Sequence, residues 1–293
     1  MFSIRKQKKN LLIGISGGKI GRMAELVYRI GLENRSTERY RGFESYSFRI
    51  CSVRLVVRSR PFHGRSTGSN PVPSTEYNKN METKIINGDF RDCVVPDGLV
   101  ITDPPYNQEY SYNEYKDKLT EEEYIELLSK IPTPCVIIHY PEETINLLPK
   151  AINAKCEQVV CWVYNSNTGK QSRLISWWGC KPDFKKVRQE YKNLKDKRIQ
   201  KRIAEGKTGA KLYDWWEINQ VKNVSKEKTE HPCQIPEELI RRIILTTAQS
   251  NQTIIDVFGG SGTTSKVAKE LGFNSISYEI DEKYCEIIKN RIT

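Results

Sequence analysis

Thr253-Ile254-Ile255-Asp256-Val257-Phe258-Gly259-Gly260-Ser261-Gly262-Thr263-Thr264 is the stretch from which the fold can be read. An apolar, β-branched run enters a glycine-rich turn, and the turn opens a helical pattern over 262–271. Ser275 to Glu279 reads as the next strand and 281–292 as the next helix. Glycines let a ligand approach the backbone, and a helix N-terminus offers free N–H groups. The turn is not the dinucleotide pattern G-x-G-x-x-G, because Thr264 and Ser265 stand at its end. Glu279 closes the following strand, 20 residues after Gly259. An acid at that place can accept both hydroxyls of a ribose.

The same alternation extends upstream. Ile85-Ile86 before Gly88-Asp89 reads as a short strand, and Gly98 to Thr102 as a second, ending at Asp103. Thr120 and Glu123 form a capping box that opens a helix through about Lys130. Cys135 to Ile138 reads as a buried strand, followed by a helix near 142–153. Val159–Val163 and Leu174–Trp178 read as two more strands. Trp177 and Trp178 point to opposite faces, so one of them is expected in the core. Residues 107–119 are polar and Tyr-rich and read as a mobile loop. Strands alternating with helices predict an α/β fold with a mostly parallel sheet.

Directly after the second strand stands Asp103-Pro104-Pro105-Tyr106. Ligands of open α/β sheets sit beyond the carboxyl ends of the strands. Two consecutive prolines fix the backbone and leave rigid carbonyl acceptors. Asp103 adds a side-chain acceptor and Tyr106 an aromatic plane. Together they suit a planar ring bearing an amino group. The plainer alternative is an Asp-Pro turn that closes a strand.

Charge is distributed unevenly. The chain has 293 residues and a formal net charge of +11. Residues 1–80 hold 16 basic and 5 acidic side chains, whereas the 31 basic and 31 acidic side chains of 81–293 cancel. Within the second part, 181–228 carries 15 basic against 7 acidic residues. Phe184, Val187, Tyr191 and Leu194 recur there at helical spacing, which predicts a helix with one apolar face. Trp215-Trp216 and the breaks at Gly206 and Gly209 suggest a small inserted subdomain.

No run approaches the ~18 apolar residues of a membrane helix. Eight cysteines without regular spacing make neither a disulfide framework nor a paired zinc site, so no metal is expected and a cytoplasmic, reducing setting is the default expectation. The basic start Arg5 to Lys9 with Leu11–Ile15 mimics a signal peptide but is too short. Gly14 to Lys19 mimics a phosphate loop with the wrong glycine spacing.

Residues 24–75 are rich in Arg, Ser, Gly and Pro and lack periodicity. Gly42-Phe43-Glu44-Ser45 and Gly68-Ser69-Asn70-Pro71 match two reading frames of the T-arm consensus of transfer-RNA genes. Residues 1–80 are therefore expected to be a disordered tail or a mis-assigned upstream extension, with the true start at Met81.

The two motifs together resemble the S-adenosylmethionine-dependent DNA amino-methyltransferases, which methylate N6 of adenine or N4 of cytosine. The family's (D/N/S)PP(Y/F/W) is matched by Asp103, Pro104, Pro105 and Tyr106, and its FxGxG by Phe258 to Gly262. The catalytic motif precedes the cofactor motif, as in the family's β group, with a target-recognition insert implied at 166–229. His231-Pro232-Cys233-Gln234-Ile235-Pro236 is similar to the group's HPxQKP, with Ile235 departing from the usual Lys.

The resemblance implies a Rossmann-like methyltransferase fold over 81–293 and S-adenosylmethionine as cofactor. The implied cofactor contacts are Asp89, His231, Phe258, Gly260, Ser261, Gly262, Thr263 and Glu279. For Asp89 a plain turn role stands beside this, and for His231 a helix-capping one. His139 is expected to be structural. Lys185, Lys186, Arg188, Lys192 and Arg198 are expected to hold DNA phosphates.

DNA is the implied partner, with a cognate restriction endonuclease as a second. The flipped-out base would stack on Tyr106 and give its amino hydrogens to Asp103 and the Pro104 carbonyl. Asp103 in the first position favours N6 of adenine. N4-cytosine methylation, an RNA or protein amine acceptor, and an inactive DNA-binding module are the alternatives. The mass of the native protein is expected to place its N-terminus at Met81, and an N-terminus at Met1 contradicts this reading.

Overall fold

The computed structural model describes residues 81–113, 115–166 and 169–293, so the expectations for 1–80 lie outside the described residues. Ten strands follow in chain order. They are β1 (Thr83–Asn87), β2 (Leu99–Thr102), β3 (Cys135–His139), β4 (Cys156–Val163), β5 (Ser172–Trp178), β6 (Arg188–Gln189), β7 (Ala210–Lys211), β8 (Trp215–Glu217), β9 (Ile254–Asp256) and β10 (Ser275–Glu279). Eight of them form one sheet in the order β1-β10-β9-β2-β3-β5-β4-β8, and β6 pairs with β7 apart from it. Every neighbouring pair in the large sheet is parallel except the two made by β5.

The helices are α1 (Glu121–Ser129), α2 (Pro141–Asn146), α3 (Leu148–Ala151), α4 (Lys197–Ala204), α5 (Glu237–Thr247), α6 (Thr263–Glu270) and α7 (Glu282–Ile292). The capping box at Thr120 and Glu123 is present. The helix expected near 142–153 is two pieces, because Pro149 has no N–H with which to continue the ladder through Leu147. α5 escaped the sequence reading, although Leu239, Ile240, Ile243 and Ile244 line its buried side.

Both faces of the sheet are covered. Leu99 and Ile101 of β2 join Val136, Ile138, Trp177, Ile254 and the α5 and α6 side chains in one core. Val100, Cys135, Ile137, Trp178 and Ile255 join Leu127 and Leu128 of α1 in the other. Alternate residues of one strand thus enter opposite cores, which is why β2 and β3 are buried along their whole length. Trp177 and Trp178 are both core residues, one on each side.

The basic segment differs from its sequence reading. Phe184 to Leu194 form no helix. Arg188 and Gln189 are drawn into pairing with Lys211 and Ala210, and Gly209 passes so close to the Gln189 carbonyl that a Cβ would meet it at 2.4 Å. Phe184 and Val187 instead pack individually on the sheet core, and Leu194 is exposed. The helix of this segment is α4, which buries no residue.

The span 166–229 also contains β5 and β8, both strands of the large sheet. The longest part of the span outside the sheet lies between these two strands. Its return is anchored by Trp216, whose ring meets Trp177 at 6.1 Å and Phe184 at 6.2 Å. Trp216→Ala is expected to cost about 3–5 kcal/mol. Because Trp216 belongs to the sheet core, denaturant melts should show one earlier transition for the whole chain; a separate minor transition would contradict this.

Candidate active site

The site follows from where the chain reverses its winding. From β9 the chain crosses over α6 to β10, and from β2 it crosses over α1 to β3, on the other side. β2 and β9 are neighbours, so their carboxyl ends open the crevice of a topological switch point. Asp103 follows β2 and the glycine turn follows β9. Thr102 Oγ1 donates to Asp256 Oδ1 at 2.8 Å, and the Phe258 N–H reaches the same oxygen at 3.2 Å. Burial pushes the Asp256 carboxyl up to about 7, against the bonds from Thr264, Thr102 and the Phe258 N–H.

Asp103 is half-buried, and burial pushes its carboxyl up to about 6, with the Arg173 charge and the Tyr106 hydroxyl pulling the other way. The Tyr106 hydroxyl donates to Asp103 Oδ1. The Tyr106 ring lies 4.5 Å from the His139 ring at 30° and 4.7 Å from the Tyr140 ring at 61°. Arg173 of β5 sets its guanidinium 5.0 Å from the Tyr106 ring centre and 5.6 Å from that of Tyr140. Its Nε is buried without a hydrogen-bond partner. Sequence reasoning missed Arg173, since it began that strand at Leu174.

The loop expected to be mobile is organised by one buried carboxylate. Asp117 accepts the N–H groups of Asn107, Gln108 and Tyr110 at 2.8, 3.0 and 3.1 Å. Three neighbouring donors are gathered on one side chain seven to ten residues further along, which a reading of local polarity does not reveal. Tyr112 and Tyr115 of this loop then wall the cavity beside Asp103.

That cavity holds about 1020 Å³ of empty space counted out to its mouth. Asp103, Pro105, Asp89, His231, Phe258, Gly260, Ser261, Thr263 and Glu279 of the sequence-derived set line it. Glu279 is buried, and its two oxygens accept the N–H groups of Gly260 at 2.6 Å and Asp281 at 2.9 Å. Each oxygen keeps a second lone pair for a hydroxyl donor. Phe90 and Phe258 meet edge to face, centroids 5.3 Å apart, as an apolar wall. Asp89 caps the turn Phe90–Asp92 and is bound to the Arg91 guanidinium, which holds its carboxyl below the usual carboxylate range.

His231 lies against the turn, its Nε2 3.1 Å from where a Cβ on Gly260 would stand. Nδ1 accepts the Cys233 N–H at 3.3 Å, which leaves the proton on Nε2. Burial pushes this imidazole down to about 4. Gly262 faces away from the cavity, towards Ile288 of α7. The Ser261 and Thr263 hydroxyls meet at 3.0 Å, and Arg291 ties both the Ser261 carbonyl and Thr263 Oγ1 at 2.8 Å.

The basic candidates lie elsewhere. Lys185, Lys186, Arg188, Lys192 and Arg198 are all exposed. Lys192 covers the outward Trp215 ring at 3.9 Å, Lys186 reaches the Ala248 carbonyl at 3.4 Å, and Arg198 pairs with Asp196 at 2.9 Å.

Comparison with known proteins places these observations among relatives. A family model described as DNA methylase matches residues 134–290, which includes the glycine turn and Glu279 and begins after Asp103. The type II methyltransferase M.BglII of Bacillus subtilis is 28% identical over 259 residues, 74% of this chain and 71% of the relative. The DNA adenine methyltransferase YhdJ of Escherichia coli K12 is 24% identical over 226 residues, 66% of this chain and 75% of the relative. The solved PvuII DNA methyltransferase, cytosine-N4-specific, shares the fold with a TM-score of 0.53 at 18% identity, over 72% of this chain and 86% of its own.

Gly262 has φ +72°, and a Cβ there would lie 2.9 Å from Ile288 Cγ2. Gly262→Ala is therefore expected to destabilise the fold by about 1–3 kcal/mol. Equilibrium denaturation checks this, and an unchanged midpoint would contradict the packing of α7 on the turn.

Proposed function

This chain belongs to the DNA methylase family of N6-adenine and N4-cytosine amino-methyltransferases, and we propose that it methylates the exocyclic N6 of adenine in DNA. S-Adenosylmethionine is the family's methyl donor. The residues of the cavity fit it. Glu279 retains acceptor capacity for ribose hydroxyls, Phe90 and Phe258 offer an apolar wall to the purine, and Gly260 brings backbone close to the ligand. Asp89, His231, Ser261 and Thr263 also line the cavity, whereas Gly262 acts by letting the turn close on α7. When bound, the cofactor supplies an electrophilic methyl group.

One observation carries the reading: where β2 ends, Asp103 lines the cofactor cavity, and the residue after it carries an unpaired carbonyl, although Pro104 and Tyr106 do not themselves line the cavity. Asp103 presents a carboxylate, and the carbonyl of buried Pro104 accepts no hydrogen bond from the described residues. Buried carbonyls are nearly always paired, so an open one beside a carboxylate suits a ligand with two donors, such as an amino group. Accepting both hydrogens draws the nitrogen lone pair out of ring conjugation and leaves it available for attack. Pro105 and Pro104 hold the acceptors rigidly, and positioning of this kind supplies much of a methyl transfer's acceleration. Tyr106 is the stacking plane for a base taken out of the duplex. Its hydroxyl holds Asp103 Oδ1, which leaves Oδ2 and the second lone pair of Oδ1 for the amino group.

Adenine is favoured because Asp, rather than Ser, stands first in the motif, and the relative YhdJ is named a DNA adenine methyltransferase. The exposed cations of 185–198 supply the phosphate contacts of the proposed recognition insert. A cognate endonuclease is the further partner that the type II relative suggests, and the reaction takes place in the cytoplasm.

Nucleoside mass spectrometry of DNA from an expressing host is expected to show N6-methyladenine; N4-methylcytosine in its place would move the assignment to the alternative base, and neither would overturn both. Asp103 accepts an amino hydrogen far more strongly ionised than protonated, so the transfer rate should fall as pH drops through about 6. The Arg173 charge now lowers that value, so Arg173→Met is expected to move the acidic limb to higher pH. An unshifted limb would separate Arg173 from Asp103.

A further inference from the structure

Two carbonyls of Pro104-Pro105 are equivalent in the sequence, and the structure makes them different. Tyr124 of α1 is buried, and its hydroxyl donates to the Pro105 carbonyl at 2.6 Å. The same hydroxyl lies 2.6 Å from His139 Nε2. His139 Nδ1 is already engaged, because it accepts the Tyr140 N–H at 2.8 Å. The ring proton is therefore on Nε2, and Tyr124 Oη accepts from the imidazole while donating to the carbonyl. The order His139 Nε2–H, Tyr124 Oη–H, Pro105 carbonyl is forced in one direction.

His139 has no solvent exposure, and burial holds the imidazole neutral, down to about 3, with Arg173 and Lys170 acting in the same sense. Its ring is also the one stacked 4.5 Å from Tyr106. A single buried side chain thus touches the turn twice, through Tyr124 at the Pro105 carbonyl and through its face at the next residue. The Pro105 carbonyl is occupied, and the Pro104 carbonyl accepts no hydrogen bond from the described residues.

We propose that Tyr124 and His139 are positioning residues for methyl transfer, forming a fixed relay that decides which carbonyl of the turn faces the target amino group. The proposal rests on the base site described above. Without the relay the peptide after Pro105 can rotate, and the Asp103 carboxylate and Pro104 carbonyl lose their common aim. The pair neither touches the base nor exchanges a proton with it.

Single-turnover transfer of labelled methyl to unmethylated amplified DNA tests this, with calorimetric S-adenosylmethionine binding measured on every variant. Tyr124→Phe keeps the ring and removes the donor. A rate loss of about tenfold or more is expected, with cofactor affinity within about twofold. His139→Leu should lose a similar factor, and His139→Gln, which places an amide N–H near the Nε2 position, should recover most of it. Because the bond that Tyr124 makes to Pro105 is one His139 also directs, Tyr124→Phe combined with His139→Leu should be no slower than the slower single variant.

A Tyr124→Phe enzyme at the wild-type rate overturns the relay, as does a double variant whose loss is the product of the two single losses. Loss of cofactor binding in step with rate would make the pair part of the fold instead, and also overturns it. A wild-type chain that transfers methyl to no DNA removes the base site itself, a result distinct from an active wild type with insensitive variants.

Discussion

The bond from Thr102 to Asp256 joins strand ends 154 residues apart in the chain, and the site depends on it. One residue beyond Thr102 stands the acceptor Asp103, and beyond Asp256 the backbone enters the glycine turn. Parallel pairing of β2 with β9 makes both ends open on the same side. Neither motif is a site alone: one lacks a wall for a nucleoside, and the other lacks an acceptor for an amino group. The cost is a buried carboxyl at Asp256, offset by donors from Thr102, Thr264 and the Phe258 N–H.

Most of the sheet was legible because its strands are short apolar runs bounded by turn residues. β10 and α7 fall where the pattern placed them, since each has a local signal at both ends. The segment 184–194 misled for a physical reason. Apolar residues three and four apart mark a helix only if the backbone is free to coil, and here it is committed to the β6–β7 ribbon and to the sheet core. Residue spacing cannot show such long-range commitments.

Much of the candidate cavity's lining was legible in the named motifs, and what supports them was not. Asp103 and Glu279 sit at strand ends, which sequence can locate. Arg173, Asp117 and Tyr124 act across turns and neighbouring strands, and their partners are distant in the chain or fixed only by packing. His139 reads from sequence as a plain core residue, and its structural position gives that burial a direction. Charge teaches the same lesson. The excess of the whole chain sits in residues 1–80, whereas the cations proposed to meet DNA are an exposed local group between β5 and α4 and at the start of α4.

The central claim is that cofactor and base halves bind separately and act together through Asp103. Calorimetric titration of S-adenosylmethionine into Asp103→Ala, run beside methyl transfer to DNA, tests it most directly. The account predicts wild-type cofactor affinity with methyl transfer lost. Wild-type transfer in this variant, or cofactor binding lost together with transfer, would contradict it.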